Sequence, residues 1–248
     1  MKKIIIAVSM LAATFVANAQ EPSLAPTGKM YKPVAGNVLA ELGLFGATGF
    51  VNLPTSTFGT PQLKFRYFLQ DQIAIRVGFN YTQNASTTRV YEANSGSGKG
   101  YARDMSSIFG LNVGLEKHFS GTGRLSTYAG GDLSFQTVSA ATRWENTANG
   151  TAFSNGDTRK TRGFNDAGVN GSIGFGLRAI AGADYYFVEK VYLGAEFGWG
   201  FTASKDVKTK EDVTVGGVTN PTIENKSVSG TFTLAPVLTA GVRIGFIF

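Results

Sequence analysis

Ile73-Ala74-Ile75-Arg76-Val77-Gly78-Phe79-Asn80-Tyr81 sets a large apolar residue at every second position, with alanine, arginine, glycine and asparagine between them. Side chains on a β-strand alternate faces with period two, so the stretch reads as a strand with one wholly apolar face and one that carries charge and glycine. The same division extends in both directions. Before it lie Val38-Ala40-Leu42-Leu44 and Leu63-Phe65-Tyr67-Leu69, and after it Phe109-Leu111-Val113-Leu115 and Leu125-Thr127-Ala129-Gly131-Leu133-Phe135. Alternate positions from Ile173 to Phe187, from Val191 to Phe201 and from Phe232 to Phe248 complete eight windows, and none of these positions is charged.

The positions in between hold Glu41, Lys64, Arg66, Arg76, Glu116, Asp132, Arg178, Asp184, Glu196 and Arg243, five acids and five bases. Parity alone does not say which face is inside, and a soluble barrel with an apolar interior is the alternative. Glycine separates the two. Gly78, Gly110, Gly114, Gly130, Gly182, Gly194 and Gly245 fall on the charged face, where a water-facing exterior would carry lysine, glutamate or threonine. A narrow lumen instead needs small residues opposite large ones. The apolar face is therefore placed against lipid, and the fold expected is all-β: an eight-stranded antiparallel up-and-down transmembrane β-barrel in a Gram-negative outer membrane.

Connection lengths agree. Tight links at 70–72, 120–124 and 188–190 alternate with long ones at 46–61, 84–104, 137–170 and 203–230, so short turns are expected in the periplasm, four loops outside, and both termini periplasmic. Aromatic residues near the strand ends form two expected girdles, with Tyr67, Phe68, Phe119, Tyr186 and Phe187 low and Phe79, Tyr81, Trp199 and Phe201 high. Pro236 falls inside the last strand, where a missing N–H breaks the ladder, and a local bulge is expected there.

Lys2 and Lys3 precede the apolar run Ile4–Leu11, and Ala17-Asn18-Ala19 supplies small residues for a peptidase, so residues 1–19 read as a cleaved signal peptide. Residues 20–36, with Pro22, Pro26 and Pro33, read as an extended periplasmic lead, and 37–248 as the barrel. Removal of the two signal lysines lowers the formal charge from +6 to about +4, with bases and acids interspersed, and no nucleic-acid groove is expected. There is no cysteine, so neither a disulfide nor a lipidated thiol contributes.

The whole mature chain resembles the small eight-stranded outer-membrane barrels of the OmpA/OmpX type. The terminal stretch Val242-Arg243-Ile244-Gly245-Phe246-Ile247-Phe248 is similar to the carboxy-terminal signal of that class, which implies that Phe246 and Phe248 are read by the barrel-assembly machinery. The sequence ends with the barrel, so the peptidoglycan-binding domain that follows it in OmpA, and a wall-tethering role, are not expected.

Catalysis and metal binding find little support. The single histidine, His118, falls at the periplasmic end of the fourth predicted strand and reads as interfacial; the only other metal ligands are carboxylates that face bases. No cofactor is expected. Ser95-Gly96-Ser97-Gly98-Lys99-Gly100 lacks the spacing and flanking elements of a phosphate-binding loop and reads as external loop.

Two readings of function remain. In the first, the ten charges interlock and fill the lumen, Asp132 pairs with Arg178 apart from the rest, and a non-enzymatic barrel acts structurally or through its external loops. In the second, lumen glycines leave gaps for a gated small-solute or ion channel. For the first, Val213–Thr219 reads as a hairpin with a Gly-Gly turn, Thr137–Trp144 as an extension of the fifth strand, and Trp144 as an exposed anchor. Expected partners are outer-membrane lipids and lipopolysaccharide, the assembly machinery, and a membrane-complex or surface protein.

Overall fold

A computed structural model describes residues 31–45, 63–93, 96–225 and 230–248. The expected signal segment, most of the lead and the 46–61 connection lie outside the described residues. The strands are β1 (Val38–Phe45), β2 (Leu63–Gln70), β3 (Ile73–Tyr91), β4 (Lys99–Phe119), β5 (Leu125–Thr147), β6 (Phe153–Arg162), β7 (Ser172–Val188), β8 (Val191–Asp206), β9 (Thr209–Val215), β10 (Val218–Thr219), β11 (Ile223–Asn225) and β12 (Gly230–Ile247).

Eight of these strands close into a ring in the order β1-β2-β3-β4-β5-β7-β8-β12, all antiparallel, with β12 returning to β1. Closure leaves no open sheet edge among the described strands of the ring, which is what a hydrocarbon surrounding demands. The alternation does the rest. Phe65, Tyr67, Phe79, Val113, Leu133 and Phe175 point outward, with Leu133 65% exposed, while Glu41, Arg66, Arg76, Glu116 and Asp184 point into the lumen. The three expected short turns are present between β2 and β3, β4 and β5, and β7 and β8, and Lys190 adopts a left-handed φ of 66° in the last.

The connections at the other end differ from expectation. β3, β4 and β5 run for 19, 21 and 23 residues, about twice the ~9–11 needed to cross a membrane. The stretch 84–104, expected as a loop, is mostly strand, with pairing unbroken from Ile73↔Lys117 to Tyr91↔Lys99. Beyond the lipid both faces of a strand meet water, so the apolar alternation that marks a strand in the wall is lost. Thr137–Trp144 does extend β5, and β4–β5 pairing continues to Tyr101↔Glu145.

β6 pairs with the far end of β5, β9 with β6, and β10 and β11 with β9, so an open sheet continues from one side of the barrel. The β9–β10 hairpin turns on Gly216 and Gly217 at φ of 60° and 80°, a two-residue turn that needs left-handed backbone at both positions. It is pinned to β6 by Asp157, which accepts the Gly216 amide at 2.8 Å and the Ser154 hydroxyl at 2.6 Å. The Ser154 hydroxyl and then the Gly216 amide hold the Asp157 carboxyl below its ordinary pKa. Residues 163–171 fold over the inward face of this sheet, with the Asn165 amide donating to Met105 O at 3.1 Å and the Asp166 N–H to the Thr142 hydroxyl at 2.9 Å.

A bulge occurs at Pro236, as its missing donor requires. Both Ala235 and Pro236 face Gly200, and pairing resumes at Thr239↔Gly198. Leu234 pairs with Phe201 on one side of the bulge and Ala240 with Phe197 on the other, a shift of two residues in register. A one-residue shift would exchange the faces, whereas an even shift keeps them in phase.

Candidate functional site

The ten charged positions of the inward face meet in one connected network in the lumen, and every strand of the ring contributes at least one. Arg66 on β2 is fully buried and holds three carboxylates from three other strands: Glu116 on β4 at 2.8 Å, Asp184 on β7 at 2.7 Å, and Glu41 on β1. Arg76 on β3 grips Glu196 on β8 with two bonds of 2.8 and 2.9 Å and reaches Glu116 at 3.2 Å. Arg243 on β12 contacts Glu41 at 2.6 Å, Asp184 at 2.9 Å and Glu196 at 3.2 Å. Lys64 bridges Glu41 at 2.7 Å and Glu196 at 3.2 Å.

Asp132 and Arg178 form the expected pair, with two bonds of 3.0 and 2.9 Å, yet they are not separate from the rest. Arg76 Nε lies 3.4 Å from Asp132 and links the pair to the main network. The long Arg76 side chain spans the difference in height between the pair and the rest of the network.

Two groups of residues join the network unforeseen. Tyr192 donates to Glu41 at 2.6 Å and accepts from Arg66 at 2.6 Å, and Tyr128 donates to Glu196 at 2.8 Å and accepts from Arg243. Gly245 and Gly182 face these two rings, and a Cβ at either would overlap them, so the glycines are where the lumen accommodates its largest side chains. Below, Leu39, Phe68, Ala74, Tyr186 and Tyr192 form a buried apolar tier that floors the network, with Tyr31 packed against it. Phe68 and Tyr186 therefore belong to the interior and not to the lower girdle; both share the parity of the lumen charges.

His118 is also inside and not interfacial. Its Nδ1 lies 2.9 Å from the Ser126 hydroxyl and its Nε2 3.1 Å from Glu116. Serine, histidine and carboxylate in that sequence have the connectivity of a hydrolytic triad. Here Ser126, His118 and Glu116 are each at most 3% exposed and Glu116 is bound by two arginines, so there is no space beside the hydroxyl for an acyl group. Among the described residues no group of three His, Cys, Asp or Glu side chains is arranged to hold a metal.

At the other end, Trp144 is half-buried, with the Arg159 guanidinium stacked 4.6 Å from its ring. Arg159 is itself paired with Glu211 at 2.5 Å and Asp166 at 2.6 Å, so the ring is covered rather than offered as an anchor. Phe246 and Phe248 are exposed on the outer wall at the end of the barrel that carries the short turns, at 41% and 72%.

Eight antiparallel strands closed into a ring, apolar outside and charged within, define an outer-membrane β-barrel. A model of the "Putative OmpA-OmpF-like porin family" matches residues 57–201, well over half of the chain. The chain belongs to that family. No curated protein sequence matches it. Among solved structures, the outer membrane protein OprG from Pseudomonas aeruginosa is similar at 12% identity and a TM-score of 0.37, covering 89% of this chain and 99% of that one. CarO2 of Acinetobacter baumannii is similar at 12% identity and a TM-score of 0.30, covering 88% of this chain and 99% of that one.

Proposed function

We propose that this protein is a closed barrel, without catalytic activity, that holds a rigid β-sheet above the outer membrane for contact with surface partners. In this reading residues 1–19 are removed on export, both termini face the periplasm, and the long hairpins project from the cell. The observation that carries it is the filled lumen: Glu41, Arg66, Arg76, Glu116, Asp132 and Asp184 are all at most 2% exposed, with Phe68 and Tyr186 beneath. A wall braced across its whole circumference is suited to support a load at one end, and recognition concentrates on segments carried by a rigid scaffold. Phe246 and Phe248 are assigned to recognition by the assembly machinery.

Excising residues 208–225 and bridging the gap with a short glycine-serine turn removes β9, β10 and β11 while leaving the ring intact. Loss of co-purifying surface partners, with the barrel still folded, is the expected result. An unchanged set of partners sinks the proposal.

The family's description as porins favours a second reading, a gated small-solute channel. The upper lumen is polar, with Ser134 bonded to Asn112 at 2.6 Å. Conduction on this reading requires the charge network to open, because Arg66 and its carboxylates cross the path.

A further inference from the structure

On the outward face of the external sheet, three neighbouring strands place three cations in one row. Arg103 on β4 pairs directly with Arg143 on β5, and Arg143 with Lys160 on β6. Like charges directly opposite one another on a sheet are destabilising, so such a row needs a counter-charge. The sheet supplies little. Arg143 has Glu145, and Asp212 on β9 stands directly opposite Lys160 but is engaged by Arg162 at 3.8 Å; among the described residues no ion pair holds Arg103 or Lys160. All three side chains are exposed. Toward the hairpin tip the same face adds Arg89 and Lys99, which with Arg103, Tyr91, Tyr101 and the single acid Glu145 line a cleft of about 520 Å³. The inward face differs, because residues 163–171 and the Arg159 ion pairs already cover it.

The basic face is the upward continuation of the wall that meets lipid. Along β4 it shares parity with Phe109, Leu111 and Val113, and along β3 with Phe79 and Tyr81. Arg103 lies six residues above Phe109, which is roughly 20 Å along the strand at ~3.3 Å per residue. At a strand tilt of ~35–45° this is about 15 Å along the membrane normal. A phospholipid headgroup layer is only some 5–8 Å deep, so its charges stop short of the row. A glycolipid whose sugars project further and carry phosphates reaches it.

We propose that the Arg103–Arg143–Lys160 row, with Arg89 and Lys99 above it, binds the phosphorylated sugar headgroup of an outer-leaflet glycolipid whose acyl chains lie against the β3–β4–β5 wall. Guanidinium and ammonium groups at cross-strand spacing match phosphates distributed along an oligosaccharide, and the tyrosines of the cleft offer apolar faces to sugar rings. The site rests on the reading that the long hairpins face the cell exterior.

The test uses the full-length folded protein in micelles, with four probes: lipopolysaccharide bearing its phosphorylated core, the same glycolipid after phosphatase treatment, phosphatidylglycerol, and the delipidated phosphorylated core sugar. The intact glycolipid is expected to bind at least about tenfold more tightly than any other probe, and the Arg103→Gln/Lys160→Gln variant to lose most of that advantage while remaining folded. Equal binding of intact and phosphatase-treated glycolipid overturns the proposal. So does equal binding of phosphatidylglycerol, of the delipidated sugar, or of the glycolipid to the variant. The chain lacks cysteine, so a Ser97→Cys variant labelled on intact cells reports the orientation independently: labelling without glycolipid binding sinks the site alone, and absence of labelling sinks the outward reading.

Discussion

Replacing Arg66 by methionine is expected to lower the unfolding free energy of the bilayer-embedded barrel by about 3–5 kcal/mol, the cost typical of removing one partner from a buried ionic cluster. Methionine nearly preserves volume, so the effect isolates charge. Glu41, Glu116 and Asp184 each lose their Arg66 contact at once, and Tyr192 loses the donor that fixes its hydroxyl. Bulk solvent does not reach these groups, since Arg66 and Asp184 have no exposed surface. Urea titration of folded protein in lipid vesicles measures the loss. The comparison is Arg143→Met, whose exposed pair with Glu145 is expected to be worth at most about 1 kcal/mol. Neutralising Glu116 in the Arg66→Met background should recover part of the loss, because the two residues share one contact and their effects do not add. A loss under about 1 kcal/mol for Arg66→Met would mean that the lumen is wet enough to solvate three carboxylates.

Gly245→Ala is the second large effect. A methyl group there would overlap the ring of Tyr192, which is fully buried and held between Glu41 and Arg66 by two hydrogen bonds of 2.6 Å. The ring cannot yield without breaking one of them, and the cost expected for this overpacking is about 1–3 kcal/mol. Tyr192→Leu removes the obstacle. In that background Gly245→Ala should cost less than about 0.5 kcal/mol, the margin within which independent sites add. Equal costs in both backgrounds would assign the glycine to backbone geometry and not to the ring.

The wall of the barrel was legible in the sequence because lipid imposes a strict condition on one face. Ile73–Tyr81 states it in nine residues, and Arg76 on the opposite face already announces a charged lumen. Parity also placed all ten network residues inward. It would have placed His118, Phe68 and Tyr186 there as well, since each is an even number of residues from a lumen charge on its own strand. Closeness to a strand end and, for the two rings, aromatic character near an interface point the other way, and the register overrides both. Parity places Tyr128 and Tyr192 inward too, but the sequence does not say that Gly182 and Gly245 make room for rings reaching in from other strands.

The external sheet was only half readable. Gly216-Gly217 marks a turn by its backbone requirement, and Thr137–Trp144 keeps strand character. The upper half of β3 and β4 left no mark, because with water on both sides neither face is selected to be apolar. Pairing between β5, β6 and β9 spans segments distant in sequence, so the row Arg103, Arg143 and Lys160 emerges only once the register is fixed. The bulge at Pro236 was the converse case, where a single missing donor required an irregularity that the backbone then absorbed with an even shift.

The central claim is that the lumen is closed by its own side chains, and planar-bilayer recording of the folded wild-type protein tests it most directly. Silence is predicted for the wild type. Arg66→Met combined with Tyr192→Ala, which removes two of the groups that block the path, should give discrete openings. Steady single-channel conductance from the unmodified protein would contradict the account and establish the channel in its place.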